Sequence, residues 1–504
     1  MKNQTRLRLA LTTVLLSGTL AVSAGAFSQE ARESIATARK ASDSRLEKAL
    51  SAIRAESIKA DLTFIASDEL AGRDTPSEGL RQAARYIRAR LESLSFTPGG
   101  RDGDYFHYYK LVRSRLDRDN TYLALAGKEI DEKLSFGDGY YFWPNGVAEF
   151  SAEGGLTYAG HGAASDVVEV DLAGRWAFAW DSEIPPAERE ANLRARGAVG
   201  ILVASPLEDE DTHGDQRARG IARWASGNRM RVVTRNAETP FPHVYVKRAI
   251  AERIAVALDA EPAVGQDLGI QVTDRRSLGD DAEEFTLENV CGFWPGSDPE
   301  LSQEVLIVSA HYDHVGTSND EIYNGADDNG SGTCGLLAIA GALAEHGPLK
   351  RSVLLLWVSG EEKGLLGSEA WTLDPTLPAG FQAVANLNID MIGRNAPDYL
   401  SITPTRQHPA YNGLTVMAEK AAPLEGFPKL ESCDEYWERS DHRNFSVHLD
   451  IPVAFLFSNI HADYHQPTDT VEKIDFDKIA RVSRVVVRML AELQDLDMAE
   501  LAPE

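Results

Sequence analysis

The 504 residues are 43% hydrophobic and 25% charged, enough apolar material for a large core, which excludes a disordered tail or a disulfide-stapled miniprotein and suggests two or three domains. Seventy-seven acids against 51 Lys and Arg give a formal charge of −26, and neutralising a nucleic-acid backbone needs clustered cations, so nucleic acid is excluded as a partner. Cys291, Cys334 and Cys433 lie far apart without CxxC spacing, leaving no thiolate metal site and one bridge at most.

The chain opens with Lys2, Arg6 and Arg8, an apolar run over 9–20 too short to span a bilayer, and Ala24-Gly25-Ala26 before Phe27. That is the layout of a signal peptide over 1–26, so an exported, periplasmic or secreted protein is expected. No later stretch reaches about 18 uninterrupted apolar residues, and no membrane span is expected. Over 31–94 the spacing of Leu46, Leu50, Ile53, Ile58, Leu62 and Ile65, then Leu80, Ala84, Ile87 and Leu91, predicts helices around a polar turn at 67–74. Residues 105–150 read as strands and turns. A module over 155–259 begins Gly-rich and carries strands at 176–180 and 199–204 with a helix at 188–196. The charged stretch 274–284 reads as a connector. Beyond it the alternation is regular: strand 305–310, helix 332–345, strand 352–359, short helix 365–371, strands 383–389 and 451–457, and an amphipathic helix 475–493. Strands alternating with helices predict a mainly parallel sheet covered on both faces, with the site beyond the carboxyl ends of the strands.

The polar residues fall at those ends. Strand 305–310 runs into His311-Tyr312-Asp313-His314, strand 352–359 into Gly360-Glu361-Glu362, strand 383–389 into Asp390, and the loop after 451–457 carries His461-Ala462-Asp463-Tyr464-His465. Gly325-Ala326-Asp327-Asp328-Asn329-Gly330-Ser331-Gly332 lies between the first strand and its helix. Carboxylates crowded at one edge repel, so the arrangement needs cations. Imidazole and carboxylate without thiolate suit zinc, ahead of manganese or cobalt. His311, Asp327, Glu362, Asp390 and His465 are more ligands than one tetrahedral ion uses, which points to two ions sharing a carboxylate. Asp313, two residues past His311, is placed to accept the second imidazole N–H. Taken singly, each feature has an ordinary reading as a turn, cap or solvated pair. That reading is kept for Asp328, as a helix cap, and His161, His243 and His408 are read as structural.

These motifs, with Lys363-Gly364-Leu365-Leu366-Gly367-Ser368 after the glutamate pair, Asn388-Ile389-Asp390-Met391, and Tyr464-His465-Gln466-Pro467-Thr468-Asp469-Thr470, resemble in order and spacing those of the co-catalytic zinc aminopeptidases. Glutamate carboxypeptidase and the transferrin receptor ectodomain are relatives of that family. The resemblance covers 285–495, and 67–73 with the helix after it resembles the start of the same domain. Residues 155–259 are similar, more weakly, to the protease-associated domain that many members carry as an insertion. The resemblance implies a phosphorylase/hydrolase-like three-layer α/β/α sandwich with a mainly parallel mixed sheet. It divides the chain into a signal peptide (1–26), an N-terminal part of the peptidase domain (27–145), a β-rich protease-associated-like insertion (146–265) and the main zinc peptidase domain (266–504). It implies two zinc ions per chain, with Asp327 bridging, His311 and Asp390 completing one ion, Glu362 and His465 the other, and Glu361 as general base. Ser440-Asp441-His442 and Phe445 also resemble a family motif near the substrate.

The function expected is that of an exported di-zinc aminopeptidase cleaving N-terminal residues from peptides, with Glu361 activating the attacking water. A carboxypeptidase on the same scaffold would need a basic pocket, for which Arg394, Arg406, Arg439 and Arg443 are available. A glutaminyl cyclase is disfavoured by the insertion and the full ligand set, and a non-catalytic binding ectodomain by the retention of all five ligands.

Overall fold

The computed structural model describes residues 43–143, 149–225, 227, 229–233 and 241–501; the expected signal peptide and the first residues of the expected helical region lie outside them. Four parallel strands form the centre of the main sheet: Glu304–His311 lies between Ser352–Val358 and Gln382–Asp390, and Val453–Phe457 adds beyond the latter. Their near-continuous apolar sequences reflect burial on both faces. Side chains alternate across a strand, so Leu306, Val308, Leu355 and Trp357 enter one core while Val305, Ile307, Leu354 and Leu356 enter another. Helices Ala55–Ile65, Glu78–Ser93, Gly332–His346 and Phe476–Leu493 pack in the first core, and Leu366–Leu373 and His442–Leu449 contribute Trp371 and Phe445 to the second. Antiparallel strands Glu283–Trp294 and Phe106–Ser114 extend the sheet on one side. The expected three layers with a mixed sheet are present.

The insertion is larger than expected. The chain leaves the main sheet after Ser114 and rejoins it at Glu283, and between them lies a second sheet of eight strands with its own core, drawn from 122–276. Strands Tyr122–Ala126, Asp131–Ser135 and Tyr140–Tyr141 belong to it, so the boundary expected near 146 falls inside this unit. The stretch expected as a connector joins the two sheets: Asp267–Arg276 of the second sheet ends within it, residues 277–282 form the link, and Glu283–Trp294 opens the return to the first. One piece of the insertion also crosses over: Arg229–Val232 pairs antiparallel with Phe106–Ser114 at the edge of the main sheet.

The N-terminal helices are tied to the strand ends by one side chain. The buried Arg73 guanidinium donates to the carbonyls of Tyr312 (2.9 Å), Ile65 (2.6 Å), Asn324 (2.7 Å) and Gly325 (3.0 Å). Arg73→Met keeps the length and leaves these buried carbonyls without donors, so unfolding in urea is expected to show a loss of about 3–5 kcal/mol. A loss below about 1 kcal/mol would mean that the tie contributes nothing special.

Candidate metal centre

Two sharp turns set the site. Val358 ends its strand and Gly360, at φ 72°, swings the chain so that the two glutamates leave in different directions. Gly325, at φ 58°, starts the aspartate loop, and a Cβ there would lie 2.2 Å from the Asp328 carbonyl oxygen and 2.5 Å from the His314 ring.

Beyond these turns two groups of side chains converge. In the first, His311 Nε2 lies 3.3 Å from Asp390 Oδ1 and 3.5 Å from Asp328 Oδ1. In the second, His465 Nε2 lies 3.1 Å from both Asp328 Oδ2 and Glu362 Oε2, while His314 Nδ1 stands 2.8 Å from Glu362 Oε1. Asp328 takes part in both, one oxygen to each. Asp328 Oδ2, Asp390 Oδ1 and His465 Nε2 are buried and have no hydrogen-bond partner among the described residues. Ligands about 2.0–2.1 Å from a tetrahedral zinc stand roughly 3.4 Å apart, close to the separations found, so the donor set fits the ion that the motifs imply.

The aspartate pair is where the arrangement differs from the sequence reading. Asp327 was expected to bridge and Asp328 to cap a helix; Asp328 lies in both groups and Asp327 in neither. The Asp469 carboxylate accepts the backbone N–H of Asp327 at 3.1 and 3.0 Å and that of Asp328 at 3.1 Å, fixing the loop. Asp327 Oδ1 then accepts the Gly393 N–H at 2.7 Å, and its Oδ2 lies 3.2 Å from His461 Nε2, which faces it away from the ligand atoms. His311, Glu362, Asp390 and His465 come together as expected. Asp313 serves differently: its carboxylate accepts from Thr75 Oγ1 (2.9 Å) and the Glu361 amide (3.1 Å), while His311 Nδ1 is 3.3 Å from the Asp313 backbone carbonyl and 3.6 Å from its carboxylate. His314, Asp469 and His461 were not assigned roles from sequence, although each sits inside or beside a motif.

Electrostatics separates the neighbouring glutamates. Burial, with Glu362 and Asp441 nearby, pushes Glu361 well above the usual carboxylate range, against the pull of His311. Burial also opposes ionisation of Glu362, but the hydrogen bond with His314 and the nearby His465 imidazole outweigh it and hold that carboxyl well below its usual value. Burial disfavours charge on His465, and Asp328 and Glu362 overcome this, raising it to about 10.

Behind Asp390, Ser440 Oγ donates to its Oδ2 at 2.9 Å and is in turn held by Asn388 Nδ2 at 2.9 Å. Asp441 and His442 are fully buried; Ser368 Oγ donates to Asp441 at 2.5 Å, and burial lowers His442 to about 3. Phe445 packs in the second core. The Ser440-Asp441-His442 segment thus supports the site from behind. Cys291, Cys334 and Cys433 are free.

Comparison with known proteins bears out the resemblance: residues 289–490 match peptidase family M28. A probable leucine aminopeptidase of Arthroderma otae is 30% identical over 207 residues, covering 39% of this chain and 56% of that protein; another, from Arthroderma benhamiae, is 29% identical over the same length. The chain spans about half the length of the curated relatives it matches. An aminopeptidase from Aneurinibacillus sp. strain AM-1 aligns over 91% of this chain and 97% of its own, at 19% identity and a TM-score of 0.48.

Burial raises Asp441 to about 7 against an ordinary 3.8. A carboxyl raised on folding contributes stability below its unfolded value and loses it as pH rises through its folded value, at up to about 1.4 kcal/mol per pH unit. Between pH 4 and 7 metal-free Asp441→Asn is therefore expected to lose less stability than the parent, while the amide oxygen still accepts from Ser368. Parallel pH profiles of denaturant unfolding in the two proteins would refute this.

Proposed function

We propose that this protein is a di-zinc aminopeptidase removing apolar N-terminal residues from peptides. The observation that carries the reading is the sharing of Asp328 between two ligand groups, with Glu361 beside both and in neither. His311, Asp328 and Asp390 would hold one zinc, and Asp328, Glu362 and His465 the other, with His314 fixing the second oxygen of Glu362. When bound, the ions supply Lewis-acid polarisation of the scissile carbonyl and neutralise the carboxylates. Glu361 takes a proton from the attacking water and delivers it to the departing amine. Asp313 holds the Glu361 backbone through its amide N–H, a positioning role.

The substrate class is set by a narrow recess against these carboxylates. Met391, Tyr436, Phe455, Phe457, Ile460 and Tyr464 line it together with four carboxylates, Asp328, Glu361, Glu362 and Asp390, and one cation, Arg439, of the four arginines available to a carboxypeptidase. An apolar side chain desolvated there would bring its own α-amine beside fixed negative charge. The curated relatives' names as leucine aminopeptidases agree with such a residue. Among the described residues no helix is long and apolar enough to cross a membrane. The basic, apolar and small-residue order of 1–26 supports export, and the second sheet supports a protease-associated-like insertion over the cleft.

Hydrolysis of leucyl peptides should stop on chelation and return with zinc; N-acetylation of the peptide should abolish cleavage, whereas C-amidation should not. If the N-acetylated peptide is cleaved instead, a carboxypeptidase is the better reading. Asp328→Asn should deplete both zincs by elemental analysis, and Asp327→Asn should leave more metal bound. Glu361→Gln should keep both ions yet lower kcat by about 10²–10⁴, whereas Glu362→Gln should weaken one ion. Reversed metal contents for the two glutamates would show the pair to be assigned backwards.

A further inference from the structure

A cavity of about 990 Å³ shares Glu362 with the apolar recess as a wall residue. Its walls come from the Phe106–Ser114 strand and the residues after it, from the insertion's edge strand Arg229–Val232, from the turn 362–366, and from the segment 438–448. Six of its 22 lining residues are Arg or Lys, against 51 of 504 in the chain, and four are acids. In a protein of net charge −26 this is a local reversal of composition.

Most of these cations are partly neutralised. Lys363 pairs with Asp74 at 2.7 Å and Arg115 with Asp281 at 3.2 Å; Arg113 pairs with Glu283, and Arg443 with Glu438. Arg231 is the exception. Among the described residues it has no ion pair, and its Nε is buried without a hydrogen-bond partner. Burial pulls its guanidinium below the usual value, with Glu284 opposing, the mark of a cation short of counter-charge. A guanidinium held half-buried at the wall of a roomy cavity, with unused donors, is a carboxylate receptor by geometry and charge.

We infer that this cavity binds carboxylates on the part of the peptide beyond the scissile bond, with Arg231 as a specificity-determining residue, so that peptides acidic downstream of the first residue are preferred substrates. The inference rests on the aminopeptidase reading. The apolar recess takes the first residue, and the cavity that adjoins it at Glu362 takes the second and third. The carboxylates could be Asp or Glu side chains or the terminal carboxylate of a short peptide. Arg231 reaches the cavity on a strand that the insertion lends to the main sheet, so this selectivity would be the insertion's contribution.

The test uses the zinc-loaded full chain and four peptides: Leu-Glu-Glu-amide, Leu-Gln-Gln-amide, Leu-Lys-Lys-amide and Leu-Gln-Gln with a free carboxyl terminus. At low salt kcat/KM should favour the Glu over the Lys peptide by about tenfold or more, and the ratio should shrink as salt rises. A gain for free-acid over amidated Leu-Gln-Gln would identify the terminal carboxylate as the ligand; a gain confined to the Glu peptide, the side chains. Arg231→Gln should cut the Glu-to-Lys ratio about fivefold, and Arg231→Lys should restore part of it. Arg115→Gln should act in the same direction, which keeps the test open if the edge strand does not tolerate change. Calorimetric binding of tri-glutamate amide to parent and Arg231→Gln protein separates this inference from the activity. If no peptide is cleaved but tri-glutamate binds and the variant loses it, the cavity assignment stands and the aminopeptidase reading falls. Cleavage without acidic preference, or binding indifferent to Arg231, would overturn the inference and leave the activity in place.

Discussion

Everything at the carboxyl edge of the central sheet is arranged around one electrostatic difficulty, the gathering of buried Asp328 and Asp390 with half-buried Glu361 and Glu362. Carboxylates buried this close cannot all stay ionised without compensation. Imidazoles supply part of it, from His311, His314 and His465, but there are fewer of them than carboxylates and two face the same glutamate. The remaining deficit is the physical case for bound cations, and it also explains why the supporting shell is so polar. Metal binding in such a site is coupled to folding, since the ligands exist as a set only in the folded chain.

The scaffold meets this difficulty with rigid strand ends and backbone anchoring in place of long flexible loops. Parallel strands bring four chain segments out at one edge, and the turns after them are held by groups that are not themselves ligands. Asp469 grips the aspartate loop through two amide groups, Arg73 grips four carbonyls around the same loop, and Ser440 steadies Asp390. Each restricts a ligand or its backbone before any ion arrives, which lowers the ordering cost of coordination.

The central strands, and the convergence of four of the five residues expected as ligands, were legible because a buried parallel strand writes a long apolar run and its polar exit stands out against it. Asp328 was not, because adjacent aspartates in a turn are chemically identical in sequence and only the anchoring by Asp469 and Gly393 decides which one joins the two side-chain groups. That the strands between 122 and 135 join the second sheet was not legible for a related reason. Strands such as Asp131–Ser135 are short, polar on one face and indistinguishable from peptidase strands until their partners are known. Long-range pairing carries that information, and a single sequence read by local periodicity does not.

The crossing strand Arg229–Val232 gives the insertion a mechanical place in the peptidase body. An edge strand left unpaired invites association with other chains, and pairing Phe106–Ser114 with a segment of the insertion removes that hazard at the same sheet edge that borders the large cavity. The pairing also fixes two arginines on one face of a strand whose register is set by the main sheet, since residues two apart share a side. A charge placed this way keeps its position relative to Glu362 even though it belongs to a separately folded unit. Sequence changes elsewhere in the second sheet would therefore leave the edge strand's register untouched, since that register is set by its pairing with Phe106–Ser114.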